Sequence, residues 1–451
     1  MARCFVFAAA LLLLASSAVV AAEGPQRPNM VVILADDLGS HDVGWRGSEI
    51  KTPHLDALAQ RGARLNQFYV QPVCSPTRAA LLTGRYPLRY GFQTGVVRPW
   101  AQYGLPLEER TLPQALQEAG YETAIVGKWH LGHFRPEYLP TRRGFDHQYG
   151  HYNGALDYYT HIRDGGFDWH RNDQENHDEG YATHLIASEA ERRIQQRNRE
   201  KPLFLYVPFN GVHAPLQVPE EYSKAYPQFS GNRRVYAGMV TALDEAVGKI
   251  VAALKQEGLL ENTLIVFSSD NGGPNPGKLT DNGPLRAGKG TVYEGGVRVC
   301  AFATWEGQIK PGDVETPIHI TDLYPTLLRI AGAKTEQSLP LDGHDVWPVL
   351  TRQGESPRKS LVINAGSNAN AIRVGNWKLV LKEKGTEDEA TELFDLAKDP
   401  GEKNNVAGAH PEVVKDLQEQ LAHYISQAIP AKTRPAGKKF KAPRVWGEQG
   451  S

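Results

Sequence analysis

Polar side chains suited to binding a metal or an anion close four apolar runs of the sequence. The runs span residues 30–37, 121–130, 202–213 and 262–272, and each is rich in residues that favour strands. One polar residue at the end of such a run is usually a turn or a helix cap, whereas four such ends together indicate a shared site. The residues concerned are Asp36, Asp37, Lys128, His130, His213, Asp270 and Asn271.

This set divides by chemistry. Its carboxylate and amide members supply only oxygen ligands, which favours a hard cation such as Ca²⁺ over Zn²⁺. Lys128 and His130 are two residues apart at a strand end, so we expect both side chains to point to the same face. His213 follows a buried strand, where a structural histidine is the alternative. The set therefore predicts a cation site next to groups that bind anions and move protons.

Cys74 begins the segment "CSPTRAALLTG", which predicts a helix that starts near Pro76 and ends at Gly84. A helix amino end carries free N–H groups and positive potential, and Arg78 adds a fork suited to phosphate- or sulfate-like oxygens. The residues leave Cys74 open between a buried structural thiol and a thiolate nucleophile.

The apolar runs also predict the elements that position these residues. Near-continuous apolar runs are expected of strands covered on both faces by helices. Helices are predicted from Thr52 to Gly62, with Thr52 as the cap, from Thr111 to Gly120, and over 235–257, where apolar residues mark one face. This alternation indicates a layered α/β domain, in which ligands gather beyond the carboxyl ends of the strands.

The chain changes character near its carboxyl end. Residues 371–381 alternate like a single strand with one wet face, and 411–428 follow a helical pattern. We therefore expect a catalytic α/β domain over 23–355, a small α+β subdomain over 356–430, and a loosely ordered basic tail over 431–451.

Composition narrows the function and the destination of the chain. The net charge of −1 over 451 residues argues against a nucleic-acid partner. Residues 1–22 have the layout of a cleavable signal peptide, so we expect an exported protein with no membrane attachment after cleavage. Cleavage leaves only Cys74 and Cys300, too few for a disulfide framework, and Cys300 is expected in the core. The sequence holds no Asn-x-Ser/Thr acceptor, which favours a bacterial periplasmic or secreted protein over a lysosomal one.

The segment around Cys74 resembles the signature of the type I sulfatases, Cys-x-Pro-(Ser/Thr)-Arg-x-x-Leu-x-Thr-Gly. Further blocks resemble that family in the same order: "ADDLG", "GKWHLG", "HAPL", "SDNGG", "GPLRAGKGTVYEGGVRV" and "LFDLAKDPGEKNN". The spacing and the "LDYYTH" segment resemble the arylsulfatase B type, which acts on N-acetylgalactosamine-4-sulfate.

The resemblance implies an alkaline-phosphatase-like large mixed sheet flanked by helices, and sulfate removal from a sulfated carbohydrate. It implies that Cys74 is oxidised to formylglycine by a formylglycine-generating or anaerobic sulfatase-maturating enzyme. One Ca²⁺ is then bound by Asp36, Asp37, Cys74, Asp270 and Asn271, and the implied catalytic residues are Cys74, Arg78, Lys128, His130, His213 and Lys289.

In the mechanism implied by the resemblance, Arg78, Lys128 and Lys289 hold the sulfate oxygens. A hydroxyl of the formylglycine hydrate attacks sulfur, His213 or Lys289 protonates the leaving oxygen, and His130 takes the proton that releases sulfate. Two alternatives stay open: a phosphonate or phosphate ester hydrolase of the same superfamily, and a sulfated-glycan binding protein without turnover. Aromatic candidates for contact with sugar rings are Tyr158, Tyr159, His161, Trp169 and Trp305.

Overall fold

The computed structural model describes residues 27–364, 369–382, 390–438 and 440–448, so the signal peptide predicted at 1–22 lies outside the described residues. The strands are Asn29–Ala35 (β1), Ala63–Leu65 (β2), Phe68–Tyr69 (β3), Glu122–Lys128 (β4), His147–His151 (β5), Ile162–Arg163 (β6), Gly166–Phe167 (β7), His170–Arg171 (β8), Gln174–Glu175 (β9), Leu203–Pro208 (β10), Thr263–Ser269 (β11), Arg298–Val299 (β12), Ala301–Thr304 (β13), Gly312–Val314 (β14), Ile318–His319 (β15), Ser360–Asn364 (β16), Ala369–Val374 (β17), Trp377–Lys382 (β18) and Thr391–Asp395 (β19).

The α-helices are Pro53–Arg61 (α1), Cys74–Thr83 (α2), Leu112–Glu118 (α3), Ala182–Gln195 (α4), Glu220–Lys224 (α5), Gly231–Gln256 (α6), Glu294–Val297 (α7), Leu323–Ala331 (α8), Trp347–Leu350 (α9) and Pro411–Ile425 (α10). Single 3-10 turns lie at Gly44–Arg46, Pro87–Arg89, Pro136–Tyr138, Pro140–Arg142, Leu260–Asn262, Ile320–Asp322 and Ala407–Ala409. Across the described ranges, the helices lack the combination of length and apolar character that crossing a bilayer requires.

A ten-stranded sheet organises the chain, in agreement with the large mixed sheet that the family resemblance implies. Its strand order is β14-β2-β13-β11-β1-β10-β4-β5-β8-β9. The segment β11-β1-β10-β4-β5 is parallel throughout, and antiparallel strands flank it on both sides. All seven residues of β1 are buried, in agreement with its continuous apolar run.

The two faces of the sheet bury separate apolar cores. Even-numbered residues 30–34 of β1 pack with α2, α3 and α8, whereas odd-numbered residues 31–35 pack with α1, α4 and α6. This division follows from the two-residue period of a strand. Each fully buried Leu or Val stabilises the fold by about 1.5–3 kcal/mol, so the sheet is held rigidly from both sides.

The predicted helix starts differ in how they are capped. Thr111 forms the expected capping box with Gln114 at the start of α3. The side chain of Thr52 does not cap α1, because its hydroxyl accepts from the amide of Gly44 at 2.7 Å, outside the helix, while it donates to Asp56 at 2.8 Å. The carboxylate of Asp244 on α6 accepts from the amide of Leu55 at 2.7 Å, so a partner helix replaces the local cap.

The carboxyl-terminal subdomain is an antiparallel sheet, β16-β17-β18-β19, with α10 on one face. The prediction of one strand over 371–381 is wrong, because β17 and β18 form a hairpin that pairs Val374 with Trp377. Gly375, at φ +56°, and Asn376 make its turn, and a Gly-Asn pair is a hairpin signal.

Part of the tail predicted at 431–451 contacts the large domain. Trp446 is 3 % exposed, and its indole donates to the carbonyl of Arg163 at 2.9 Å. Val445 next to it forms a bridge with Phe167. A basic tail with two apolar residues near its end therefore docks on the large domain.

Candidate active site

The four predicted strand ends meet at one edge of the sheet. Strands β11, β1, β10 and β4 are adjacent and parallel, so their carboxyl ends lie side by side. The expected clustering of the polar residues that follow them is therefore confirmed. Asp37 and His130 adopt left-handed φ values of 66° and 60°, so the backbone turns sharply just past β1 and β4. His130 thus lies outside the strand, which ends at Lys128. The alternation of side chains along a strand, on which the same-face prediction for Lys128 and His130 is based, therefore does not extend to His130.

Cys74 is the first residue of α2, so the helix begins two residues before the start predicted near Pro76, and Gly84 ends that helix at φ +67° as predicted. The hydroxyl of Ser75 donates to the carbonyl of His130 at 2.8 Å and accepts from the amide of Val97 at 3.0 Å. Ser75 therefore ties the start of the helix to the turn that carries His130. Sequence reasoning missed this contact, because a serine within a signature gives no indication of its partner.

Three carboxylates at this edge each have a different cation as their nearest partner, and Arg78 also lies 3.8 Å from Asp36. The ammonium of Lys128 lies 2.5 Å from Asp36 Oδ2, and both side chains are fully buried. The ammonium of Lys289, from the loop before α7, lies 2.6 Å from Asp37 Oδ1. The third pair is Arg78 with Asp270, at 2.8 Å.

Arg78 is oriented differently from the expectation that it holds the substrate anion. Its Nε and Nη2 donate to Asp270 Oδ2 at 3.1 and 2.8 Å, and Nη1 donates to the carbonyl of Lys128 at 3.0 Å. The guanidinium has no exposed surface. In this geometry Arg78 orients Asp270 and the end of β4.

Burial and neighbouring charges shift the two innermost carboxyl pKa values in opposite directions. Burial works to raise the pKa of Asp36, but the charges of Lys128 and its cationic neighbours hold it well below its usual range. Burial and the Asp36 carboxylate raise the pKa of Asp270 to about 6, against the opposing charge of Arg78. Close, unequal carboxyl groups of this kind are typical of functional sites.

The donor set fits a hard cation. Asp36 Oδ1 and Asn271 Oδ1 are buried without a hydrogen-bond partner among the described residues. Asn271 Nδ2 donates to Asp37 Oδ1 at 2.7 Å. This hydrogen bond orients the amide, because its nitrogen and not its oxygen faces Asp37. Potential ligand atoms of Asp36, Cys74 and Asp270 lie within 4.8 Å of one another, as do those of Asp36, Asp37 and His213. Unpartnered buried oxygens are costly unless a cation or water satisfies them.

Both candidate proton-transfer histidines are held by carbonyl groups. His130 Nε2 lies 3.0 Å from the carbonyl of Val97, and His213 Nδ1 lies 2.6 Å from that of Ala214. Burial, followed by the charges of Lys128 and Arg78, lowers the pKa of His130. Burial also lowers the pKa of His213, whereas Asp37, 3.6 Å away, works to raise it.

Cys74 is not set up as a thiolate. Burial raises the pKa of its thiol, and the Asp270 carboxylate adds to that effect, although Lys128 and Lys289 oppose it. The low pKa that a nucleophilic cysteine needs is therefore absent at Cys74. Cys300 is fully buried in the sheet core, where the sequence places it.

A cavity of about 190 Å³ opens onto these groups, and its wall includes Cys74, His130, His213 and Lys289. Arg78 and Lys128 lie behind this wall without exposed surface. The wall also includes Arg98 and Arg163, which sequence reasoning missed. Arg98 stands in a loop outside every recognised block, and Arg163 precedes an Asp-Gly-Gly turn, so neither carries a sequence signal for the site.

Most of the aromatic candidates do not face a substrate. Trp169 is fully buried and stacks on His161, with ring centroids 4.4 Å apart. Tyr158 is buried, and its hydroxyl donates to the carbonyls of Asn210 and His213, so it supports the His213 loop. Trp305 lies near the amino end of β11, at the opposite edge of the sheet.

Tyr159 differs from the other aromatic candidates, because 44 % of its surface is exposed. It remains the one member of that group with a large exposed surface among the described residues.

The large mixed sheet, with its charged site beyond the carboxyl ends of parallel strands, places the chain among the alkaline-phosphatase-like α/β proteins. The profile described as Sulfatase matches residues 28–333, and the profile described as N-sulphoglucosamine sulphohydrolase, C-terminal, matches 287–427. The chain belongs to the sulfatase family, and it is a sulfuric ester hydrolase.

Named relatives agree with this membership. Arylsulfatase J from Mus musculus is 37% identical, covering 94% of this chain and 80% of that protein. N-acetylgalactosamine-6-sulfatase from Mus musculus is 36% identical, covering 89% of this chain and 86% of that protein. The crystal structure of Ps i-CgsB in complex with k-i-k-neocarrahexaose superposes with a TM-score of 0.83 at 34% identity, covering 94% of this chain and 96% of the other.

Proposed function

We propose that this protein removes sulfate from a sulfated saccharide by means of a formylglycine made from Cys74. One observation carries the proposal: Cys74 lies in the wall of the same 190 Å³ cavity as His130, His213 and Lys289. The signature cysteine, two imidazoles and an ammonium group thus surround a single space where an ester can lie. The formylglycine hydrate supplies the hydroxyl that attacks sulfur and the means of releasing sulfate afterwards.

We infer that the resident cation is Ca²⁺, held by Asp36, Asp37, Asp270, Asn271 and the modified side chain at position 74. Carboxylate and amide oxygens suit Ca²⁺, whereas zinc prefers nitrogen and sulfur ligands. When bound, the ion neutralises sulfate charge and polarises the bonds at sulfur.

The remaining residues bind the substrate and move protons. Lys289 reaches the cavity and holds a sulfate oxygen. Burial works to lower its pKa, but the nearby carboxylates of Asp37 and Asp36 raise it and keep the ammonium charged. Lys128 and Arg78 fix Asp36 and Asp270 from behind. His213 Nε2 gives a proton to the leaving sugar oxygen, because a bound anion favours its protonated form. His130 takes the proton that accompanies sulfate release.

The proposed substrate is a sulfated carbohydrate, with 4-sulfated N-acetylgalactosamine as the first candidate. The names of the relatives support a saccharide: one is an N-acetylgalactosamine-6-sulfatase, and another structure holds a neocarrahexaose. We further propose that the chain is exported to the periplasm or secreted, and that a formylglycine-generating or anaerobic sulfatase-maturating enzyme modifies Cys74.

The test measures sulfate release from defined saccharides that carry 4- or 6-sulfated N-acetylgalactosamine. The protein is co-produced with a formylglycine-generating enzyme, and mass spectrometry confirms the aldehyde at position 74. Cys74→Ala should abolish turnover while leaving the unfolding temperature and circular dichroism spectrum unchanged, because the side chain is small and adds little to the core. Release retained by Cys74→Ala contradicts the mechanism.

The substrate panel also discriminates among the alternatives. Selective release from the 4-sulfated sugar supports the arylsulfatase B type, and release from another sugar keeps the chemistry but rejects that subtype. If modified protein releases sulfate from none of them, an aryl phosphate diester tests the phosphorus alternative.

A further inference from the structure

A second cavity adjoins the one that holds the reacting groups. It measures about 390 Å³, and it shares Val73, Val96 and Arg98 with the 190 Å³ cavity over Cys74. Ligand sites for drug-sized molecules typically span about 300–1,000 Å³, so the smaller cavity alone is below that range. The two spaces together suit a substrate that extends beyond the sulfated sugar, and Arg98 stands where they meet.

The side chain of Arg98 is exposed and makes no hydrogen bond or ion pair with the described residues. It lies 6.0 Å from the ring of Trp100, a contact that leaves the guanidinium edge open. An arginine fork in a substrate cavity without a protein acceptor is suited to an anionic group of the ligand.

Arg163 is a further cation in the wall of the 190 Å³ cavity, which Arg98 and Lys289 also line. Its Nε lies 3.3 Å from the carboxylate of its neighbour Asp164, and its terminal amino groups make no hydrogen bond with the described residues. The side chain is 30% exposed. Arg163 lies at the end of β6 and Arg98 lies in a loop far from it in sequence, yet both line the cavity that contains Cys74.

The carboxyl-terminal tail contacts both the loop that carries Arg98 and the β6–β7 hairpin loop that carries Arg163. The indole of Trp100, two residues after Arg98, donates to the carbonyl of Arg434 at 2.8 Å. The indole of Trp446 donates to the carbonyl of Arg163 at 2.9 Å. The rings of Trp446 and Phe440 stack, and Phe440 packs edge-on against Trp100, so one segment links the two loops. The backbones are thus fixed while the guanidinium groups stay open to a ligand.

We propose that Arg98 and Arg163 form a second anion site, which binds an anionic group on the sugar next to the one that loses its sulfate. The substrate is then an oligosaccharide with a further sulfate ester or a uronate carboxylate, and not a monosaccharide with a single charge. This inference rests on the proposed function, and it identifies the substrate class for the same site.

The test compares three forms of one sulfated disaccharide, in which the neighbouring sugar is neutral, carries a uronate carboxylate, or carries a second sulfate. A fourth substrate, 4-nitrophenyl sulfate, has no neighbouring sugar. Modified wild-type protein is compared with Arg98→Ala, Arg98→Lys and Arg163→Ala. The matched control is Arg61→Ala, because Arg61 is exposed and without an ion pair among the described residues, and it lies beside Trp305 at the opposite edge of the sheet.

We expect Arg98→Ala and Arg163→Ala each to lower kcat/KM about tenfold on one charged disaccharide, mainly through KM, because each removes a charge-assisted hydrogen bond. The neutral disaccharide and 4-nitrophenyl sulfate should change by less than about twofold, Arg98→Lys should keep part of the preference, and Arg61→Ala should match wild type. The charged form that is preferred identifies carboxylate or sulfate as the ligand.

Equal losses on charged and neutral forms, or no loss on either charged form, would overturn the second anion site while sulfate release itself persists. Failure of modified wild-type protein to release sulfate from all four substrates would instead refute the proposed function, and the second site with it. Because 4-nitrophenyl sulfate reports the reaction without the neighbouring sugar, the two failures are distinguishable.

Discussion

Replacing Lys378 by methionine should destabilise the protein by isolating two buried carboxylates. Lys378, on β18, lies 2.9 Å from Glu294 on α7 and 2.8 Å from Glu402, and none of the three is more than 1 % exposed. The cluster joins the carboxyl-terminal sheet to the segment that follows Lys289. Removing one partner of such a buried group costs about 3–5 kcal/mol, because the remaining charges stay buried and unpaired.

The two carboxylates should contribute unequally to the loss of stability in Lys378→Met. Glu294 keeps the hydroxyl of Tyr69 at 2.7 Å and the guanidinium of Arg298 at 3.6 Å. Glu402 keeps only the amide of Glu294, at 2.6 Å. Burial already raises the pKa of Glu402 even with the ammonium present. Adding Glu402→Gln to Lys378→Met should therefore recover about half of the lost free energy of unfolding, or ~2 kcal/mol.

Urea denaturation at pH 7 and pH 5 measures this effect in wild type, both single variants and the double variant. Without Lys378 the folded-state pKa of Glu402 lies still further above its unfolded value of about 4.3, so protonation stabilises the folded variant. The deficit of Lys378→Met should thus be largest at pH 7 and shrink towards pH 5. A deficit below about 1 kcal/mol, or additive effects in the double variant, would refute this reasoning.

Three further predictions concern proton transfer, the cation and acid stability. His213→Ala should slow sugar sulfates more than 4-nitrophenyl sulfate, whose leaving group needs no proton, and equal losses would argue against an acid role. Removing the metal with EGTA should raise the inhibition constant of inorganic sulfate, and adding Ca²⁺ should restore the original value. Asp36→Asn should raise the inhibition constant in the same way as metal removal. An unchanged constant would contradict the cation site. Burial opposes ionisation of Glu189, but hydrogen bonds from His147 and Arg192 lower its pKa to about 2. Ionised Glu189 therefore contributes roughly 2–3 kcal/mol to the free energy of unfolding above about pH 4.3, and this contribution is lost as the pH falls towards 2. Glu189→Gln should lower the urea midpoint at pH 7 and approach wild type in acid.

The sequence is most informative where a local rule acts without competition. Continuous apolar runs identify the parallel strands, and the carboxyl-end rule then brings Asp36, His213 and Asp270 together without any knowledge of strand order. Gly84 ends α2 as predicted, and the helix begins at Cys74, close to the start predicted near Pro76, because a proline in the first turn and a left-handed glycine at the end act locally.

The sequence is least informative where a partner distant in the chain decides the outcome. Arg78 faces inwards because Asp270, 192 residues away, accepts its hydrogen bonds. Trp169 is buried because a stacked histidine and the sheet surround it, and its residue type alone is equally compatible with a sugar platform. The proposed role of Arg98 in substrate binding can be inferred only from the structure, in which this residue lines two adjoining cavities.

Charge balance explains why a cation should control anion binding at this site. Asp36, Asp37 and Asp270 are each matched by one cation, so the protein charges nearly cancel at the sheet edge. A balanced site has little net attraction for sulfate, and two of its cations, Lys128 and Arg78, have no exposed surface with which to meet one. A divalent ion on the unpartnered oxygens adds two positive charges next to the cavity, which equals the charge of the sulfate dianion that leaves. In the proposed mechanism the buried pairs therefore hold the ligand oxygens in place, while the cation and Lys289 would provide the attraction for the substrate.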